Sequence, residues 1–361
     1  MPFNQTTILK MIDAVCGRLL MSLVPPPKPP QTTGCGKVLI IRPGGIGDAA
    51  LLVPVINNLK SCYPQAQVDI LAERRNAAVF KLTDQVDNVF LYDRGELGTV
   101  LRRSYDVVID SEQWHRLSAV VARLVKSPVK IGFATNERSR LFTHAVNYNH
   151  QDYEIDSFCN LLAPLGITFK GESIKRPFLV VPDSEFQNVK ESLATLQGRN
   201  YVVIFPGASV PEKRWPIARF RELVGRLNGQ GYPVVIIGGP DEHSVGETIV
   251  AGMDGINLAG RTSLPGSAAI IGQALLLVSG DSGMLHVAVG LNRSTVALFG
   301  PGPVVKWGPR GEQHTVINKG VSCSPCARYG SMPSCPHQVK CLQDIGVEDV
   351  YAAVMNAIRK S

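Results

Sequence analysis

The chain has 361 residues, 45% of them apolar, which supports two domains with a full core each and excludes a disordered polymer. Its formal charge of +7 favours an acidic partner, but Lys and Arg are scattered rather than gathered in a tail, so nucleic acid is not expected. No apolar run is long enough to span a bilayer; the best, Ala268 to Val278, is short and broken by a glycine and a glutamine.

At the N-terminus Ile8, Met11, Ile12, Val15, Leu19 and Leu23 recur at helical spacing, with Lys10 and Arg18 among them. This reads as one amphipathic helix, either lying on a membrane surface or docked on the body of the protein. The charged start, unbroken apolar centre and cleavage site of a secretory signal are lacking, so a cytoplasmic location is expected. Pro25, Pro26, Pro27, Pro29 and Pro30, then Gly34 and Gly36, form a linker, and folded structure should begin at Lys37.

Strands then alternate with helices. Strands are expected at Val38–Arg42, Gln67–Leu71, Asn88–Tyr92, Val107–Asp110 and Val129–Phe133, and helices at Asp48–Cys62, Arg75–Leu82 and Trp114–Lys126. The stretch from Asn136 to Gly171 is less regular and reads as a loop and a connecting helix. After Pro182 a second alternation begins, with strands at Tyr201–Phe205, Pro233–Gly238, Ile256–Leu258, Leu275–Val278 and Thr295–Phe299. Its helices fall at Ser184–Leu196, Ile217–Leu227, Glu242–Ala251, Ser263–Ala274 and Gly283–Gly290, and a last helix covers Val347–Arg359. Such alternation argues for two parallel sheets with helices on both faces. The organisation expected is an N-terminal segment and linker over residues 1–36, Rossmann-like domains over 37–180 and 181–345, and a C-terminal helix over 346–361. Ligands should gather at the strands' carboxyl ends, in a cleft between facing domains.

The corner after the first strand, Arg42-Pro-Gly-Gly-Ile-Gly-Asp48, carries a carboxylate where a phosphate cradle would carry none. A helix N-terminus stabilises Asp48 as an anion, which suits a general base. Gly45, Gly47 and Ala50 also fit a dinucleotide fingerprint, with Glu73 as the ribose ligand, so a nicotinamide-dependent oxidoreductase stays open. Gly44, Gly45 and Gly47 form the loop itself, and Arg74, Arg116 and Arg138 are candidate acceptor ligands. In the second half, Ser209 and Lys213 follow one strand and can hold a diphosphate. Asp281, Ser282 and Gly283 open the helix carrying His286, where backbone N–H groups favour phosphate and Asp281 can meet a sugar hydroxyl. The corner Gly238-Gly-Pro-Asp-Glu242 lies on the same edge. A nucleotide-diphosphate sugar has the matching chemistry. A Ser-His-Asp hydrolase is excluded by the absence of a G-x-S-x-G elbow.

Eight cysteines include a local set, Cys323, Cys326, Cys335 and Cys341, whose spacing suits structural zinc, reduced thiols or disulfides.

These motifs, IIRPGGIGDAALLVPVINNLKSCYPQAQVDIL, FPGASVPEKRWPIARF, VIIGGPDE, GDSGMLHVAVGL and TVALFGPGPVVKWGP, together resemble glycosyltransferase family 9, the heptosyltransferases of lipopolysaccharide core assembly. The resemblance spans about Lys37 to Pro309 and reaches the terminal helix. It implies the GT-B fold, an inverting transfer from an ADP-heptose donor to a lipopolysaccharide core acceptor, no catalytic metal, and a cytoplasmic enzyme in peripheral contact with the inner membrane. It implies that Asp48 is the base, Lys213 the diphosphate cation and Glu242 the ribose ligand, with Thr262 near adenine. Asp281, Ser282, Gly283 and His286 match the sugar and diphosphate loop. Some relatives place two adjacent hydroxyl residues where this chain has Ala208-Ser209, so one donor contact is expected to be missing. A relative using another nucleotide sugar, or a non-catalytic carbohydrate binder, remains open.

Overall fold

The computed structural model describes residues 13–28, 34–168, 174, 176–328 and 332–360. The chain divides into two compact units, residues 1–174 and 175–361.

Each unit is built on one six-stranded sheet whose named strand pairs are all parallel. In unit 1 the strands are β1 (Lys37–Arg42), β2 (Gln67–Ala72), β3 (Asn88–Leu91), β4 (Val107–Asp110), β5 (Val129–Phe133) and β6 (His144–Val146). In unit 2 they are β7 (Val202–Phe205), β8 (Val234–Ile236), β9 (Gly255–Asn257), β10 (Leu276–Gly280), β11 (Ser294–Phe299) and β12 (His314–Asn318). The α-helices of six or more residues are α1 (Arg18–Leu23), α2 (Ile46–Cys62), α3 (Leu97–Arg102), α4 (Arg116–Leu124), α5 (Glu154–Asn160), α6 (Asp183–Lys190), α7 (Ile217–Asn228), α8 (His243–Val250), α9 (Leu264–Gln273), α10 (Gly283–Gly290) and α11 (Val347–Lys360).

The strands are near-continuous apolar runs because helices cover both sheet faces. Val38, Leu39, Ile40 and Ile41 are all buried, and β1 pairs Val38 with Val68 on one side and with Val107 on the other. The order β3-β2-β1-β4-β5-β6 reverses direction between β1 and β4, and the order β12-β11-β10-β7-β8-β9 reverses between β7 and β10. Diverging loops at such a reversal open a crevice at the strands' carboxyl ends.

All ten expected strands form. The sequence reading missed β6 and β12, which lie at sheet edges and are only partly buried, so neither shows an apolar run. The helices expected over Arg75–Leu82 and Ser184–Leu196 each begin as α-helix and tighten into 3₁₀ turns at Ala78–Leu82 and Glu191–Leu196. Helix α11 buries Val347, Val350, Ala353 and Val354 in the core of unit 2, beside Leu223 and Val224 of α7.

The expected N-terminal helix is described from Asp13 onward; Ile8, Lys10, Met11 and Ile12 lie outside the described residues. A helical turn at Asp13–Gly17 leads into α1. Asp13 caps α4 from a distant part of the chain: its Oδ1 accepts from the Arg116 and Leu117 N–H groups at 2.7 and 2.8 Å. Met21 is buried at 2% exposure, whereas Leu19 and Leu23, part of the expected apolar stripe, are 62% and 69% exposed.

Candidate active site

Asp48 lies in the first turn of α2, where aligned backbone dipoles favour a carboxylate. The corner leading to it depends on glycine. Gly44 has φ +104°, a region L side chains rarely adopt, and a Cβ on Gly45 would come within 3.1 Å of Asp48 Oδ2.

Gln113, in the loop after β4, donates from one atom, Nε2, to two carboxylates: Asp48 Oδ1 at 3.1 Å and Glu154 Oε1 at 2.6 Å. Glu154 opens α5, is fully buried, and also accepts from Tyr148 OH at 2.9 Å. The Gln113 carbonyl accepts from Thr135 Oγ1 at 2.5 Å, which fixes the loop itself. Asp48 and Gln113 thus meet at the reversal between β1 and β4.

Arg42, the last residue of β1, stands beneath this pair. It donates to Pro43 O, Ser111 O and Glu112 Oε2 at 2.6, 2.8 and 3.0 Å. Burial alone would lower its pKa, but the carboxylates of Asp48, Glu112, Glu154 and Asp110 outweigh that and hold it above the ordinary value. Glu112 is likewise buried, which favours its neutral form, yet the neighbouring Arg42 charge keeps its pKa below the usual carboxylate range.

The three arginines named as acceptor ligands differ in the structure. Arg74 is exposed just beyond β2, at the expected edge. Arg116 is buried, with Nε donating to Glu137 Oε1 at 2.7 Å. Arg138 corrects the sequence reading: it is fully buried, its Nη1 is bound to the Glu112 carbonyl and its Nη2 to Asp110 and Ser118. It braces the loop after β4 from within rather than presenting a charge to a ligand.

Glu73, the ribose ligand of the dinucleotide alternative, is also committed. Its carboxylate accepts from Gly44 N at 3.2 Å and from Tyr92 OH, and pairs with Arg75. It therefore ties the glycine corner to β2, and the corner's first amide is already spent on a protein carboxylate.

In unit 2 the loops after β7 and β10 meet at the other reversal. Lys213 Nζ and Asp281 Oδ2 form an ion pair at 2.6 Å. Two glycines make the approach feasible: a Cβ on Gly280 would lie 2.9 Å from Lys213 O, and one on Gly302 would lie 2.3 Å from Asp281 Oδ2. Ser282 caps α10, accepting from Leu285 N at 3.4 Å, and its Oγ is 2.7 Å from Ser279 Oγ. Gly283 is the first helical residue. His286, one turn on, is buried beside Trp307, with ring centroids 6.1 Å apart.

Glu242 lies on the turn after β8, its Oε2 accepting from Gly239 N at 2.9 Å. Its side chain lies against Gly207, where a Cβ would come within 2.7 Å of the carboxyl group. Thr262 precedes α9, with Oγ1 2.8 Å from Ser267 Oγ, and Ser209 is exposed on the loop after β7. The residues expected on the donor side thus follow β7, β8, β9 and β10 at one edge of one sheet. The roles of Gln113 and Glu154 were missed by sequence reasoning, because the bonds from Gln113 to Asp48 and Glu154 cross 65 and 41 residues, and Tyr148 was missed with Glu154, which it holds.

Structural zinc, one of the three readings the cysteine spacing leaves open, is not shown by the structure. Among the described residues no group of three or more His, Cys, Asp or Glu side chains is arranged to hold a metal ion. Cys323 is exposed, Cys335 Sγ accepts from Val339 N at 3.3 Å, and Cys341 is buried beneath Gly300. Burial, with the neighbouring thiols, pushes the Cys326 and Cys341 pKa values up. No helix among the described residues is long and apolar enough to cross a membrane.

Known proteins resemble this chain in sequence and in fold. Lipopolysaccharide heptosyltransferase 3 of Escherichia coli is 28% identical over 293 residues, covering 73% of this chain and 83% of that protein. Lipooligosaccharide heptosyltransferase 2 of Haemophilus influenzae is 28% identical over 305 residues, covering 78% and 88%. Among solved structures, E. coli ADP-heptose lps heptosyltransferase II superposes with a TM-score of 0.75 at 24% identity, over 90% of this chain and 99% of that one. A family 9 glycosyltransferase from Veillonella parvula gives a TM-score of 0.76 at 21% identity, over 92% and 99%. The fold is therefore GT-B. The family model described as glycosyltransferase family 9 (heptosyltransferase) matches residues 94–336, and the chain belongs to that family of glycosyltransferases.

Proposed function

We propose that the chain transfers a heptose from an ADP-activated donor to an inner-core sugar of lipopolysaccharide, with inversion at the anomeric carbon. The observation that carries this reading is that each sheet reversal holds one half of the required chemistry: a carboxylate on a helix N-terminus in unit 1 and a lysine–aspartate pair in unit 2. Names of relatives at 28% identity support the donor and acceptor classes.

In this reading Asp48, fixed through Oδ1 by Gln113, takes the proton of the acceptor hydroxyl. That oxygen attacks the anomeric carbon as the bond from that carbon to the diphosphate oxygen breaks, and ADP departs. Lys213 leaves Asp281 for the diphosphate and neutralises the charge that grows on the leaving group. Asp281 then accepts from a sugar hydroxyl. The N–H groups of Ser282 and Gly283 at the start of α10 add to phosphate binding, with His286 as a further partner. Glu242 holds the ribose, Thr262 lies by the adenine, Ser209 adds one hydroxyl, and Gly44, Gly45, Gly47 and Arg74 border the acceptor. The chemistry needs no metal or cofactor. Work on a lipid-linked acceptor places the enzyme in the cytoplasm, in peripheral contact with the inner membrane.

Calorimetry with ADP, UDP, GDP and NAD tests the donor site. Selective ADP binding, weakened by Lys213→Ala and retained in Asp48→Ala, is expected. A preference for UDP would move the assignment to another nucleotide sugar, and tight NAD binding would discard it.

A further inference from the structure

We infer that unit 1 docks on an anionic bilayer surface through α1 and the end of α4. The inference rests on the proposed function only in that a lipid-linked acceptor makes such a surface relevant. Helix α1 packs on α4 and is held there by two fixed points, the Asp13 cap and the buried Met21. With those anchors inside, Leu19, Leu20 and Leu23 face outward, and Leu124 at the end of α4 is 54% exposed. Exposed leucines on a rigid segment invite an apolar phase.

Cations rim these leucines. Arg123 donates to the carbonyls of Pro25 and Pro26 at 2.9 and 3.2 Å, and Arg140 donates to that of Val24 at 3.3 Å, so both guanidinium groups lie beside the end of α1. Arg18 and Lys28 are exposed on the same segment and Lys126 just beyond Leu124. The acidic groups nearby are engaged: Asp13 caps α4, and Glu137 is paired with Arg116. Apolar tips within a basic rim match the boundary of a bilayer bearing anionic headgroups. A second copy would set the same cations against each other across a two-fold interface, which disfavours self-association.

Flotation of the full chain with phosphatidylcholine vesicles, with and without phosphatidylglycerol, tests this. Binding should require phosphatidylglycerol. Leu19→Ser combined with Leu23→Ser should weaken it by about tenfold or more. Arg18→Glu combined with Lys28→Glu should weaken it by at least roughly fivefold per residue changed. Melting temperature, ADP affinity and turnover of a delipidated acceptor should stay unchanged. Equal binding to neutral vesicles, no binding, or unaltered binding by the variants would overturn the inference. So would a dimer of the native chain, seen by ultracentrifugation, that the leucine substitutions dissolve. Loss of the donor assignment would appear separately, as absent ADP binding in a chain that still floats with vesicles.

Discussion

Replacing Gln113 with leucine keeps an apolar stem of similar size and removes the nitrogen that two carboxylates share. A hydrogen bond to a charged acceptor contributes about 1.5–3 kcal/mol. If most of the Asp48 bond serves the transition state, kcat should fall by about ten- to one-hundredfold, equivalent to roughly 1.4–2.7 kcal/mol. Donor binding should not change, since Lys213, Asp281 and Glu242 belong to the other unit. The buried Glu154 keeps its bond from Tyr148, so the folding cost should be about 1–3 kcal/mol, and each kcal/mol lowers the melting temperature by roughly 2–4 °C. Steady-state release of ADP, calorimetric ADP binding and thermal melts would be measured together. A folded Gln113→Leu protein with kcat within about twofold of the native value would refute the assignment of Gln113 as the residue that positions the base.

Arg42→Met should cost about 3–5 kcal/mol, because it strands Glu112 in the interior of unit 1; denaturant unfolding would show it. Gly207→Ala should displace the Glu242 carboxyl, which a Cβ would approach to 2.7 Å, and weaken ADP binding by about tenfold with little change in melting temperature. His314 is held neutral, first by burial and then by the neighbouring Arg176 charge, with its pKa pushed down to about 4. Because the unfolded chain takes up this proton near pH 6.5, the contribution is fully present above that pH and is lost as pH falls toward 4, by about 3 kcal/mol at most. Unfolding of His314→Gln compared with the native protein across that window should show the difference, and imidazole NMR should find His314 neutral at pH 5.5.

The alternation of apolar runs with helical stripes made the sheets legible, because parallel strands buried on both faces carry their own signal. The glycine corners were legible too: Gly44 needs its positive φ, and Gly280 permits the approach of the Lys213 backbone. What surrounds Asp48 was not. Gln113 is 65 residues away in sequence and Glu154 another 41, and no local pattern marks an amide that will bridge two carboxylates. Arg74 and Arg138 look alike as letters, yet one is exposed and the other is buried against Asp110; the difference lies in a partner 28 residues away. The cysteine spacing likewise could not reveal that Cys341 packs beneath Gly300.

In the proposed heptosyl transfer Asp48 is the base. ADP release from ADP-heptose in the presence of a lipopolysaccharide core acceptor, compared between the native chain and Asp48→Asn, tests it most directly. In Asp48→Asn kcat should fall by about 10²–10⁴ with ADP affinity unchanged. Turnover of Asp48→Asn within about tenfold of native, or no release with this donor by the native chain, would contradict it.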